Sequence, residues 1–149
     1  MSKRMKVAFG CHLLALLLIA VAGVVYLFRT QFMPYHAVAL GKSWAEVDTA
    51  SQILLLASLK IIGGAWLATA LAMGVMLLIP FKQGVQWARW VIPVIGLVAA
   101  SPALYATLSV TFNTPATPPW VAIAFIIVLL IAGWILSLER KRWEGMVDR

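Results

Sequence analysis

Four runs of apolar residues, each long enough to cross a lipid bilayer, constrain this chain more than any other feature. A helix needs about 20 apolar residues to cross a hydrocarbon core about 30 Å thick. The runs cover residues 7–28, 52–79, 85–112 and 120–138. The sequence therefore predicts an all-α fold in which residues 1–149 form a single membrane domain. We expect a bundle of four transmembrane helices with a polar loop at residues 29–51.

The composition excludes the main alternatives to a membrane protein. Hydrophobic residues make up 63% of the chain and charged residues only 11%, whereas about a quarter of a soluble domain is charged. High apolar content excludes disorder, and a single cysteine, Cys11, excludes a disulfide scaffold. The first run contains a possible signal-peptidase site at Ala20-Val21-Ala22, but it continues to Phe28. We therefore predict an uncleaved helix there.

The basic residues lie beside the apolar runs, which predicts orientation and argues against binding to nucleic acid. Twelve Lys and Arg face five Asp and Glu, a net charge of +7. With both termini inside, the inner segments hold nine of the twelve, and the outer segments hold Arg29 and Lys42. This asymmetry predicts cytoplasmic termini in a multi-pass protein of the bacterial inner membrane. The nine are Lys3, Arg4, Lys6, Lys82, Arg89, Arg140, Lys141, Arg142 and Arg149.

The outer loop carries a helix-start signal. Ser43-Trp44-Ala45-Glu46 fits a capping box, so we expect a helix that begins near Ser43 and continues to residue 79. Such a helix would measure about 55 Å and exceed the membrane. Its first turns must then lie at or beyond the interface, or the helix must bend near Gly63-Gly64. In the third run, Pro102 predicts a kink.

Motifs for common chemistries are missing from the sequence. It has no nucleotide-binding loop and no serine-hydrolase elbow, and one cysteine is too few for a disulfide exchanger. His12 and His36 are predicted on opposite sides of the membrane, so they cannot hold one haem within a chain. We expect no metal and no cofactor, and we expect His12 to hydrogen-bond a carbonyl.

Lys60 is a charged residue well inside a predicted span, and two interpretations of it stay open. Lysine within a span is a functional hypothesis by default, but its side chain can also reach toward the outer headgroups. Small residues recur every four positions after Lys60, at Gly64, Ala68 and Ala72, and this stripe, with the neighbouring Gly63, predicts close helix packing. Lys60 could belong to an outward-facing polar pocket, whose other candidate residues are Tyr105, Ser109, Ser101, Tyr26, His36, Glu46 and Asp48. In this pocket Glu46 or Asp48 would be the counter-charge to Lys60, whereas the alternative for the tyrosines is an aromatic belt.

Several short stretches resemble those of small bacterial four-span membrane proteins over about residues 33–138. They are LKIIGG at 59–64, IPF at 79–81, WARW at 87–90, PALYAT at 102–107 and TPATPPW at 114–120. The resemblance implies the four-span fold and carries no activity, so it assigns no catalytic residue.

Three functional hypotheses follow, and the first is our main expectation. It is a non-enzymatic accessory or scaffold subunit that contacts membrane lipids and either other membrane proteins or further copies of itself. The second is a unit that binds or transports a lipid or small anionic molecule through the pocket around Lys60. The third is an intramembrane enzyme with Lys60 or His36 as the acid–base group. Substitution of Lys60 separates the first two, because only the binding hypothesis requires its charge.

Overall fold

The computed structural model describes residues 2–138, and all regular structure within that range is helical. Four helices are long and apolar enough to cross a membrane: Lys3–Phe28, Thr49–Phe81, Ala88–Asn113 and Trp120–Ser137. We label them α1, α3, α4 and α5, and α2 is a short helix over Pro34–Leu40. These helices confirm the predicted all-α fold and indicate a multi-pass membrane protein. The basic tail residues Arg140, Lys141, Arg142 and Arg149 lie outside the described residues.

The long helices keep large apolar side chains on their outer surfaces. Leu54 and Leu71 on α3, Val98 on α4 and Val121 on α5 are each more than 60% exposed. A helix that is apolar on all sides is typical of a membrane span, since its outer face contacts hydrocarbon instead of water. The exposed faces therefore agree with the spans predicted from hydropathy.

The four long helices form a ring in which α1 packs closely against α3 and α5, and α5 packs against α4. The contact between α3 and α4 is looser, and α1 and α4 face each other across the diagonal. The bundle is therefore tight on the α1 side and more open between α3 and α4.

Two glycines allow the backbones of α1 and α3 to approach closely. A Cβ atom on Gly63 would lie 2.5 Å from the Leu27 nitrogen and 2.8 Å from the Gly23 carbonyl oxygen. A Cβ atom on Gly23 would lie 3.0 Å from the Gly63 carbonyl oxygen. Each glycine thus contacts backbone of the partner helix, and a side chain at either position would push the helices apart.

The packing role predicted for Gly64, Ala68 and Ala72 within this chain is wrong. A Cβ atom on Gly64 would meet nothing within 4 Å, and Ala68 and Ala72 are exposed. Of the predicted set, only Gly63 lies in the contact between α1 and α3. The buried face of α3 passes through Gly63, one residue before the Gly64 position of the predicted stripe. That face carries Leu59, Gly63, Ala70 and Met73.

A helix starts at Trp44 as predicted, with Ser43 as its N-cap, but the predicted continuation of that helix to residue 79 is wrong. The Ser43 N–H donates to Glu46 Oε2 at 2.6 Å, but the box closes only a 3₁₀ turn over Trp44–Glu46. Val47 then adopts extended backbone (φ −82°, ψ 133°), which interrupts the helix. α3 begins at Thr49, where Asp48 Oδ1 accepts a hydrogen bond from the Ser51 N–H at 3.0 Å.

The α-helix of α3 continues through both Gly63 and Gly64 to Met76. Its irregular segment is a π-helical turn over Leu77–Phe81, which contains Pro80. Proline has no N–H for the regular hydrogen-bond ladder, and π turns relieve this kind of mismatch. In α4, Pro102 lies inside a helix that continues to Asn113.

At the end of the bundle away from the loop, His12 of α1 is fully buried. Neither ring nitrogen has a hydrogen-bond partner among residues 2–138, so the predicted bond to a carbonyl is wrong. The ring lies edge-on to Phe81 with centroids 5.9 Å apart, and it occupies the space that a Cβ atom on Gly133 would fill. The imidazole thus serves as a packing group between α1, α3 and α5.

Candidate ligand-binding cavity

A cavity of about 380 Å³ lies in the half of the bundle nearest the 29–48 loop. This volume falls in the range of small-molecule sites, roughly 300–1,000 Å³. All five helices contribute to its walls. The lining residues are Tyr26, Tyr35, His36, Leu59, Ile62, Trp66, Ala99, Pro102, Ala103, Ala106, Thr107, Val110 and Ile123. Most of this wall is apolar, and no residue of the lining carries a formal charge at neutral pH.

Small residues on α4 help to make the cavity. Ala99, Ala103 and Ala106 line it, and each offers only a methyl group where a larger side chain would fill the space. The cavity also lies where the packing between α3 and α4 is loose. The cavity therefore follows from the sequence of α4 together with the tight packing elsewhere in the ring.

The polar groups of the cavity come from the end of α1 and from α2. The Tyr26 and Tyr35 hydroxyls are hydrogen-bonded at 2.7 Å, which ties α2 to α1. Tyr26 also stacks on Trp66 of α3, with centroids 6.4 Å apart and planes 9° apart. The Tyr35 and His36 rings meet edge to face at 4.3 Å. Their mutual contacts fix these aromatic rings at one end of an otherwise apolar space.

Burial keeps the α2 groups uncharged. Desolvation lowers the pKa of His36 and, as the first cause, raises the pKa of Tyr35, with the hydrogen bond to Tyr26 adding to that rise. His36 Nδ1 accepts the Met33 N–H at 3.3 Å, so the proton of the neutral ring lies on Nε2. His36 and Tyr35 are thus neutral hydrogen-bonding groups.

Thr107 adds no further donor to the cavity. Its hydroxyl is 2.9 Å from the Ala103 carbonyl oxygen and 3.0 Å from that of Leu104, and it donates to its own helix. Such back-bonding is the common arrangement for threonine in a helix. The side chains of the lining that can hydrogen-bond a ligand are therefore the Tyr26–Tyr35 pair and His36, together with the indole N–H of Trp66.

The structure places Lys60 outside the cavity. Its Nζ donates to the Leu27 carbonyl oxygen at 3.1 Å, one of the last four carbonyls of α1, which lack partners within the helix. A positive charge at this end also complements the helix dipole. Lys60 thus caps α1.

This contact also sets the level of Lys60 along the bundle. Lys60 lies beside the last turn of α1. The first part of α3, from Thr49 to Lys60, is about 16 Å of helix and therefore extends past the end of α1. The position of these first turns relative to the membrane interface stays a prediction.

Of the other predicted pocket residues, the structure brings together only Tyr26 and His36. Tyr105 is 76% exposed, and it lies with Ser101 and Ser109 outside the cavity, whereas the next face of α4, with Pro102 and Ala106, lines it. The apolar surface of α4 gives little signal for which face is inward. Sequence reasoning missed Tyr35 and Trp66 as lining residues.

Glu46 and Asp48 do not pair with Lys60, contrary to the counter-charge hypothesis. Both are exposed, and each accepts a hydrogen bond at its own helix start. The backbone hydrogen bond from Ser43 lowers the pKa of Glu46, and hydrogen bonds from Ser51 lower the pKa of Asp48. Both carboxylates are therefore ionised caps within the segment between α2 and α3.

Within residues 2–138, the structure contains no group of three or more His, Cys, Asp or Glu residues that could hold a metal ion. Comparison with known proteins adds no assignment: no protein-family model, no curated protein and no solved structure matches this chain. The chemistry of the cavity is therefore the basis for a functional proposal.

Proposed function

We propose that this chain is a non-enzymatic, multi-pass protein of the bacterial inner membrane that binds a lipid-like molecule between α3 and α4. The observation that carries the proposal is the 380 Å³ cavity, with an apolar wall and a hydrogen-bonding end. An amphipathic ligand needs both parts of such a cavity, because the apolar wall contacts its tail and the few polar groups hydrogen-bond its head. The positive-inside asymmetry supports cytoplasmic termini and a cavity on the outer side.

This proposal keeps the lipid-binding hypothesis and moves it away from Lys60. A lysine that caps α1 is not needed to hold a ligand, and the uncharged lining favours a tail and a neutral head over a small anion. Burying an anion without a cation carries a large desolvation cost. The role of an accessory or scaffold subunit stays a prediction, because nothing in the cavity bears on it.

The test is the lipid that the protein retains when purified. We expect mass spectrometry to find a retained apolar-tailed molecule in the wild type and to find it strongly reduced in Ala106→Phe, whose ring would occupy the cavity. Ala72→Phe is the matched control, since Ala72 is an exposed alanine of α3 outside the cavity. Lys60→Met should retain the molecule as the wild type does.

Two results would count against lipid binding in this cavity. One is a wild-type protein that retains nothing above the level left by detergent exchange. The other is an Ala106→Phe variant that retains as much as Ala72→Phe while remaining folded by circular dichroism. If Lys60→Met loses the retained molecule and Ala106→Phe does not, the binding site is the pocket around Lys60 that the sequence predicts.

A further inference from the structure

We infer that the head of the molecule held in the cavity is neutral and carries carbonyl-type hydrogen-bond acceptors, as in a membrane quinone with an apolar tail. The inference rests on the proposed function and specifies the ligand class of that same site. It follows from the hydrogen bonds already made by Tyr26, Tyr35 and His36.

The tyrosine pair leaves one hydroxyl proton available. In the 2.7 Å contact between Tyr26 and Tyr35, one hydroxyl donates and the other accepts. The accepting hydroxyl still carries its own proton. Since both residues line the cavity, this proton can be donated to a ligand.

His36 offers a second donor. Its Nδ1 is occupied by the Met33 N–H, which leaves the proton of the neutral ring on Nε2. Within the described chain, no protein group accepts a hydrogen bond from this Nε2 atom. Because His36 lines the same end of the cavity as the tyrosine pair, its Nε2–H is the second donor available to a ligand with carbonyl-type acceptors.

The rest of the cavity selects against a charged head. Its lining contains no lysine or arginine, and the Lys60 ammonium is engaged by the Leu27 carbonyl outside it. A phosphate or carboxylate would lose its hydration without gaining a counter-charge. The flat face of Trp66, already stacked with Tyr26 on one side, also provides an aromatic surface for a planar head.

The experiment uses the full chain in phosphatidylcholine nanodiscs and a benzoquinone with a decyl tail as the probe. Quenching of tryptophan fluorescence is measured against probe concentration, and its saturable part reports binding. We expect saturable binding. In competition measured with a tritium-labelled form of the same probe, decylbenzene, which has the tail and no acceptor, should displace the probe at least tenfold less well than an unlabelled quinone of a different tail length. Decyl phosphate should displace it equally poorly.

Variants connect the binding to the two donors. The double variant Tyr26→Phe/Tyr35→Phe and the single variant His36→Phe should each weaken quinone binding about tenfold or more, since each removes a donor. Tyr105→Phe is the control, because it removes a hydroxyl that lies outside the cavity and should leave binding unchanged. Circular dichroism confirms that each variant is folded.

The outcomes separate this inference from the proposed function. If decylbenzene displaces the quinone as well as another quinone does, the cavity binds apolar tails and the inference about the head is wrong. If decyl phosphate binds more tightly than the quinone, the head is anionic and the inference is again overturned. If no probe binds saturably, the proposed function fails together with it.

Discussion

Replacing Gly63 by alanine is expected to destabilise the folded bundle by about 2–3 kcal/mol, a cost typical of an overpacked site. The new methyl group would meet the Leu27 nitrogen at 2.5 Å and the Gly23 carbonyl oxygen at 2.8 Å. Both are backbone atoms, so they cannot rotate away, and α1 and α3 must move apart. The measurement is the free energy of unfolding in detergent micelles, or the apparent Tm in the same detergent.

Gly64→Ala is the matched control for this prediction. It changes the neighbouring residue of the same helix in the same way, and nothing lies within 4 Å of its added Cβ atom. Alanine also has a better helix propensity than glycine, by up to about 1 kcal/mol. Its stability should therefore equal or exceed that of the wild type. Equal losses at positions 63 and 64 would show that the α1–α3 seam is placed incorrectly.

Gly133→Ala is expected to cost about 2 kcal/mol, for a similar steric reason. The Cβ atom would lie 2.7–2.9 Å from three atoms of the His12 ring. That ring is fully buried and packs edge-on against Phe81, so moving it aside disturbs the surrounding core. The cost should appear as a lower apparent Tm, whereas Gly10→Ala, which meets nothing within 4 Å, should have no such effect.

A double-mutant cycle identifies His12 as the cause. In the His12→Ala background the ring is missing, so Gly133→Ala should then cost little or become stabilising. We expect a coupling energy of about 1–3 kcal/mol, as for other residues in direct contact. If Gly133→Ala costs the same with and without the His12 ring, the two residues do not compete for the same space.

The number and extent of the long helices could be predicted because length and hydropathy are local properties. An uninterrupted apolar run as long as 120–138 is typical of a membrane-spanning helix and not of a helix in a soluble domain. It forms α5 over Trp120–Ser137. The start of α3 was harder to predict, because the capping box at Ser43 forms but is followed by a single 3₁₀ turn only. A capping box satisfies backbone donors without fixing how far the helix continues.

The lining of the cavity could be predicted only in part. The long helices are apolar on all sides, so the usual amphipathic signal for an inward face is weak. Small residues at four-residue spacing suggested a stripe through Gly64, whereas the seam runs through Gly63. The pairing of Tyr26 with Tyr35 depends on how the chain reverses between α1 and α2, which no helical periodicity reports.

Lys60, the strongest local signal for a site in the sequence, does not line the cavity. The sequence places Lys60 at depth only if depth is counted from the first residue of the apolar run. Here α3 extends beyond the end of α1, so Lys60 reaches the Leu27 carbonyl at the last turn of α1. Its charge is used for capping, and the uncharged aromatic groups nearby form the cavity.

The central claim is that the polypeptide crosses the membrane four times, with the cavity on the outer side. Cysteine labelling with a membrane-impermeant maleimide tests it most directly, in a background where Cys11 is replaced by alanine. Single cysteines are placed at the exposed positions Thr117 and Lys82. In intact spheroplasts we predict labelling at 117, and labelling at 82 only after permeabilisation. Labelling of position 82 from outside would contradict the account.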